Sequence, residues 1–123
     1  MLGSEKLVAF VATRDLDRAR AFYRDTLGLQ FVSEDRFALV FDAAGTMLRV
    51  AVVQEMAASK YTVLGWQVRD IAQVATKLGK AGVNLERYAG MNQDEAGIWK
   101  SPSGAQVAWF KDPDGNTLSI TQL

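Results

Sequence analysis

Side chains that could carry out catalysis or bind a metal are few in this sequence. It has no cysteine and no histidine, which removes thiolate nucleophiles, Ser-His-Asp arrangements and imidazole metal sites. Carboxylates alone can hold a hard cation. The carboxylates near predicted strands are Glu5, Asp35, Asp42, Glu55 and Glu86. They fall near predicted strand ends or turns, where a solvated charge is the simpler interpretation.

A polar stretch, "KDPDGN", lies close to the C-terminal end. Pro113 fixes its own φ and Gly115 accepts a positive φ, which is typical of a tight turn between strands. We therefore interpret Asp112 and Asp114 as structural.

Charge and length limit the classes of partner. Fourteen basic and fourteen acidic residues cancel in a chain of 123 residues, enough for one domain. A neutral chain lacks the basic surface that binds nucleic acid or an anionic membrane. No segment has the roughly 20 apolar residues of a membrane span, and the N-terminal stretch lacks a signal pattern. We expect a cytoplasmic protein that binds neither nucleic acid nor membrane.

The elements that must position any site repeat along the chain. "RDLDRARAFYRDTLGL" begins at Arg14, and "RDIAQVATKLGKAGV" begins at Arg69. Asp15 and Asp70 lie 55 residues apart, each after a strand-like segment and at the start of a helical pattern. Glycines that predict helix ends follow: Gly28 and Gly82.

Strand-like segments follow both helices, so the sequence predicts an α+β fold of two βαβββ modules. Module 1 covers about residues 5–53, a linker residues 54–60 and module 2 residues 61–122, within a single domain of residues 1–123. In module 2 we expect a strand at "VNLERY" and an extra hairpin around "KSPSGA". The modules would form a cupped, partly closed mixed sheet with the helices outside. A ferredoxin-like sandwich is the alternative.

Two stretches resemble the vicinal oxygen chelate superfamily, also called glyoxalase/bleomycin-resistance/dioxygenase: Arg14 to Leu29 and "AWFKDPDGNTLSI" from Ala108. The resemblance implies paired βαβββ modules, usually in a homodimer. It also implies four metal positions, which here hold Val8, Arg49, Val63 and Ser119. None of these offers a carboxylate or imidazole, so we expect no metal and no cofactor.

If Val8 and Val63 face the cleft, strand alternation gives its lining. The predicted ligand contacts are Phe10, Arg49, Gln67, Trp99, Trp109, Lys111 and Ser119. Tyr88 and Met91 would add a wall or lid. Apolar walls with sparse polar anchors suit a small-molecule pocket.

Three interpretations of function remain. The first is a metal-free small-molecule-binding protein that holds an apolar or aromatic ligand and has no catalytic residue, similar to bleomycin-resistance proteins. A flat aromatic or carboxylate-bearing ligand suits Arg49 and Lys111 better than bleomycin does. The second is a metal-dependent lyase, isomerase or dioxygenase with an atypical carboxylate site. The third is a structural or regulatory module whose cleft is filled by its own side chains.

Overall fold

A computed structural model describes all 123 residues. The chain divides into two compact units, Met1–Ala57 and Ala58–Leu123. No helix is long and apolar enough to cross a membrane.

The first unit contains one four-stranded mixed sheet, in the order β1-β4-β3-β2, and one helical segment. β1 runs parallel to β4, and the other neighbours are antiparallel. The elements in chain order are β1 (Val8–Thr13), α1 (Leu16–Arg20), a π-helical segment (Ala21–Thr26), β2 (Gln30–Glu34), β3 (Ala38–Ala43) and β4 (Thr46–Val52).

The second unit repeats this plan, with strand order β5-β8-β7-β6. β5 is parallel to β8, and β7 is antiparallel to both of its neighbours. The elements are β5 (Thr62–Gln67), α2 (Ile71–Lys80), β6 (Trp99–Lys100), β7 (Gln106–Lys111) and β8 (Thr117–Gln122). The predicted βαβββ repeat is confirmed as two open four-stranded sheets, and a single ferredoxin-like sheet is excluded.

The two helices begin as the sequence predicts. Asp15 accepts a hydrogen bond from Arg18 N at 3.1 Å, and Asp70 accepts one from Gln73 N at 3.1 Å. Each carboxylate satisfies a backbone donor that the first helical turn leaves unpaired. Gly82, after the second helix, has φ +86°, a value that glycine adopts without strain.

One face of each sheet packs on its helix, and these faces form the two cores. In the first unit Tyr23 makes ring contacts with Phe22 and Phe41, at centroid distances of 5.2 and 6.1 Å. In the second unit Trp66 stacks on Phe110 at 6.4 Å. Further buried apolar residues of the strands include Leu39, Leu48, Val50, Ala108, Leu118 and Ile120.

Two expectations for the second unit are wrong. "VNLERY" forms no strand: Leu85 packs against Gly97, where an added Cβ would lie 3.1 Å from Leu85 Cβ. Its alternating pattern therefore reflects packing within a loop. The hairpin at "KSPSGA" is also not an addition to the module. It joins β6 to β7, and the first unit has an equivalent hairpin between β2 and β3.

Candidate functional site

The candidate site lies on the face of the second sheet that points away from α2, which we call the open face. Strand register gives its central row, in which Trp109 pairs with Ser119 and Ser119 with Gly65. Paired residues project to the same side of a sheet, as do residues two positions apart. The neighbouring rows add Trp99, Val107, Thr121 and Gln67 on one side, and Lys111 and Thr117 on the other.

Five of the seven predicted ligand contacts therefore share this face: Gln67, Trp99, Trp109, Lys111 and Ser119. The alternation of β5, β7 and β8 predicted this sidedness correctly. The neighbours of these residues along the strands, Trp66, Ala108 and Phe110, turn to the helix side, where Ala108 and Phe110 are buried.

An aromatic cluster forms the wall of the open face. The ring of Trp109 lies 5.6 Å from that of Tyr88, edge to face, and 6.1 Å from that of Trp99, at a tilt of 36°. All three side chains are only partly buried. Aromatic rings in such edge-to-face and tilted contacts support one another and still offer a flat surface to a ligand.

A hydrogen-bonded loop holds Tyr88 in the cluster. Gln93 donates to Glu86 O at 2.9 Å and to Gly97 O at 2.8 Å, and it accepts from Tyr88 N at 2.8 Å. Glu86 N in turn donates to Trp109 O at 2.7 Å. One glutamine thus fastens both sides of the loop to each other. This role was not predictable from the sequence, since Gln93 stands in a polar stretch without periodicity.

Asp94 and Arg87 complete the loop. Asp94 Oδ1 accepts from Ala96 N and Ile98 N, both at 2.9 Å, and Arg87 donates to the carbonyls of Asp94 and Glu95. The guanidinium of Arg87 is therefore used within the loop.

The floor of the open face carries no side chain at Gly65. A Cβ at this position would lie 2.6 Å from Ser119 Oγ, closer than real Cβ atoms approach other atoms, so the Ser119 hydroxyl occupies the space over the glycine. Ser119 itself is only 8% exposed. Gly65 and Ser119 therefore form a smooth surface beside Trp109.

A pocket of about 260 Å³ opens next to this floor. Gly65, Gln67 and Thr121 line it, together with Trp66 and Leu123. The pocket does not include the aromatic cluster, but it shares Gly65 and Gln67 with the open face. At the opposite end, Thr117 donates to Ser59 O at 2.9 Å, so the residues before β5 cover that corner.

Charge on the open face comes from one residue. Lys111 makes no ion pair within the chain, and no carboxylate side chain projects from this face. Tyr88 keeps its phenol proton, because partial burial and, to a lesser degree, nearby Glu86 raise its pKa. The face thus offers a cation, a phenol and the amide of Gln67.

The other two predicted contacts, Phe10 and Arg49, occupy the equivalent row of the first sheet. Arg49 pairs with Phe10 on one side and Val40 on the other, as Ser119 pairs with Gly65 and Trp109. Phe10 is 61% exposed. Arg49 makes no ion pair within the chain, although its charge contributes to the lowered pKa of Asp35.

The four positions that the resemblance implied for a metal have few side-chain atoms that could bind one. Val8 and Val63 are apolar and exposed, and Val63 sits where the register of β5 against β8 shifts. Arg49 carries a positive charge, and Ser119 offers one hydroxyl. No group of three or more acidic residues lies close enough together to hold a metal ion.

The "KDPDGN" stretch is a turn, as predicted. Asp112 is 4% exposed; its Oδ1 accepts from Asp114 N and Asn116 N, both at 2.9 Å, and its Oδ2 accepts from the Asn116 side chain at 2.8 Å. These bonds use the carboxylate to fix the β7–β8 connection.

Comparison with known proteins bears on this geometry. The model of the Glyoxalase/Bleomycin resistance protein/Dioxygenase superfamily matches residues 7–120. The chain belongs to this superfamily. Among curated protein sequences, none matches it.

Solved structures of superfamily members share the fold over nearly the whole chain. A member from Sphaerobacter thermophilus has a TM-score of 0.77 at 19% identity, with 100% of both chains covered. A lactoylglutathione lyase from Agrobacterium tumefaciens has a TM-score of 0.76 at 20% identity, covering 97% of this chain and 93% of its own.

A bleomycin-binding protein, solved with bleomycin bound, has a TM-score of 0.74 at 21% identity. The match covers 98% of this chain and 99% of that one. An enzyme and a binding protein thus match this superfamily member about equally well, and the fold alone does not choose between their activities.

Proposed function

We propose that this superfamily member is a small-molecule-binding protein that holds an apolar or aromatic ligand on the open face without a metal. The observation that carries the proposal is the Trp109 cluster standing beside the flat Gly65–Ser119 floor. A partly exposed aromatic wall, a smooth floor and few polar groups are typical of ligand sites. In this proposal Gln67, Trp99, Trp109, Lys111 and Ser119 contact the ligand.

The chemistry of the side chains supports the metal-free part of the proposal. The four positions that the resemblance implies for a metal supply only one neutral hydroxyl, that of Ser119, and one cation, that of Arg49. The other two are Val8 and Val63. Divalent metals in proteins are bound by carboxylate, imidazole or thiolate groups. These four residues do not fit such an ion, so we derive no catalytic step through a metal.

Phe10 and Arg49 enter the proposal as ligand contacts of the first sheet. Their row is the counterpart of the row that holds Gly65 and Ser119. An unpaired guanidinium beside an exposed aromatic ring can bind a carboxylate and an apolar group together.

We also propose a homodimer in the cytoplasm. Val8, Phe10 and Met47 project from the same side of the first sheet and are 43%, 61% and 42% exposed. Adjacent apolar side chains of this kind favour a partner or a ligand over water. Light scattering coupled to gel filtration should give twice the monomer mass of 13.5 kDa.

The experiment that tests the function measures metal content and ligand binding together. Freshly purified protein should contain no stoichiometric metal, and titration with divalent ions should leave tryptophan fluorescence unchanged. Aromatic fragments from a library should then quench the tryptophan fluorescence of the Trp66→Phe variant. Its remaining tryptophans, Trp99 and Trp109, both lie on the open face. Bound metal in a one-to-one ratio, or a saturable response to a metal, would overturn the metal-free proposal.

A further inference from the structure

The open face carries positive charge at one end and neutral hydrogen-bonding groups at the other. Lys111 and Thr117 form the row on one side of Trp109, while Gln67 and Thr121 belong to the row on the other side. The only charged side chain among the residues of this face is that of Lys111, and no acidic side chain of the chain pairs with it.

Strand geometry sets the distance between these ends. Lys111 and Gln67 are four residue positions apart along the strand direction, which is about 13 Å, and two strands apart, which is about 10 Å. Their Cα atoms are therefore separated by about 16 Å. Lysine and glutamine side chains are long enough to extend over the face toward each other, and the gap then left between their polar ends suits one substituted ring.

The surface between these ends suits a flat ring. Gly65 has no side chain, and the small Ser119 hydroxyl lies over it, so no larger side chain rises from the floor there. Trp109 borders the floor on the β7 side. The adjoining pocket of about 260 Å³ is lined by Gly65, Gln67 and Thr121 but not by Trp109, so it leaves room for a substituent at the far end of the ring.

Resting on the proposed function, we infer that the ligand is a planar aromatic carboxylate with a neutral hydrogen-bonding group at the opposite end of its ring. The carboxylate binds the ammonium of Lys111, the ring lies on the Gly65–Ser119 floor against Trp109, and the far hydroxyl or amide meets Gln67 and Thr121. An ammonium–carboxylate contact is a charge-assisted hydrogen bond, which is stronger than a neutral one.

The test compares three probes of one shape and different charge: 4-hydroxybenzoate, 4-hydroxybenzamide and 4-hydroxybenzylamine. Calorimetric titration of protein treated with a chelator should show the carboxylate binding about tenfold more tightly than the amide, and the ammonium compound binding most weakly. Lys111→Met should reduce carboxylate affinity about tenfold and leave amide affinity unchanged.

Lys100→Met is the matched control, since Lys100 projects from the opposite side of the same sheet and should leave all three affinities unchanged. Equal affinity for the three probes, or a carboxylate affinity unaffected by Lys111→Met, would overturn the inference. If in that case Trp109→Leu still abolishes binding, the proposed function stands and only the ligand class is wrong. If no probe and no aromatic fragment binds, both fail.

Discussion

At the scale of single residues, the proposed site depends on a contact that only glycine permits. Ser119 Oγ occupies the position that a Cβ at residue 65 would need, at 2.6 Å. Most of the other side chains on this face were predictable from strand alternation. The smoothness of the floor was not, because it arises from two residues 54 positions apart in sequence that meet only through the β5–β8 register.

The substitution Gly65→Ala tests this contact. The new methyl group must displace Ser119 Oγ, which roughens the floor and strains β5, at a cost of about 1–3 kcal/mol in the free energy of unfolding. We expect at least a tenfold loss of affinity for any ligand of the open face. Urea unfolding and fluorescence titration measure the two effects.

Gly79→Ala provides the control, because a Cβ at Gly79 on α2 meets nothing within 4 Å. That change should stabilise the helix by about 0.5–1 kcal/mol and leave binding as it was. Full affinity in the Gly65→Ala variant would show that the floor is not part of the site.

At the scale of elements, periodicity predicted the helices and most strands, and it failed where a loop imitates a strand. In "VNLERY" the apolar residues Val83 and Leu85 alternate with polar ones, yet only Glu86 N bonds to the neighbouring strand, at Trp109 O. The local sequence pattern cannot distinguish such a loop from a strand. The two differ in their hydrogen bonds, which here run to the side chain of Gln93 instead of along a neighbouring strand.

Gln93→Ala tests how this loop supports the aromatic cluster. The change removes three hydrogen bonds that join Tyr88, Glu86 and Gly97. We expect faster amide hydrogen exchange at Tyr88 and red-shifted emission from Trp109, with a stability loss of about 1–3 kcal/mol. Asn92→Ala, an exposed neighbour in the same loop, should change neither signal. Unchanged exchange at Tyr88 would show that Gln93 does not fix the loop.

The turn between β2 and β3 predicts a dependence of stability on pH. Hydrogen bonds from Phe37 N and Ala38 N, and then the charge of Arg49, lower the pKa of Asp35 below its ordinary value of 3.8. A lowered folded-state pKa means that the carboxylate stabilises the fold at pH values above 3.8, and that this contribution is lost as the pH falls through the folded-state pKa.

The matched variant is Asp35→Asn, which keeps an acceptor oxygen for both backbone donors and removes the charge. Wild-type protein should be more stable than the variant at neutral pH, and the difference should disappear in acid. Urea denaturation at a series of pH values measures it. A difference that stays constant down to the acid range would show that the charge of Asp35 contributes nothing.

At the scale of the whole molecule, the repeat is what the sequence revealed most fully. The spacing of Asp15 and Asp70 reappears in the structure, where Phe10 pairs with Arg49 as Gly65 pairs with Ser119. Because the two modules repeat one plan and side chains alternate along each strand, the residues on each face of the sheets were largely predictable. Which ligand the faces accept was not, because members of one fold carry different functions on different side chains.

Metal-free binding on the open face is tested by a ¹⁵N–¹H correlation spectrum of chelator-treated protein, titrated with small aromatic fragments. The chain has three tryptophans, and each contributes one indole N–H signal. A ligand on the open face should shift the signals of Trp99 and Trp109 more than that of Trp66, which stacks on Phe110 on the helix side and borders only the adjoining pocket. If no fragment moves Trp99 or Trp109, or if the shifts appear only after a divalent metal is added, the metal-free binding function is contradicted.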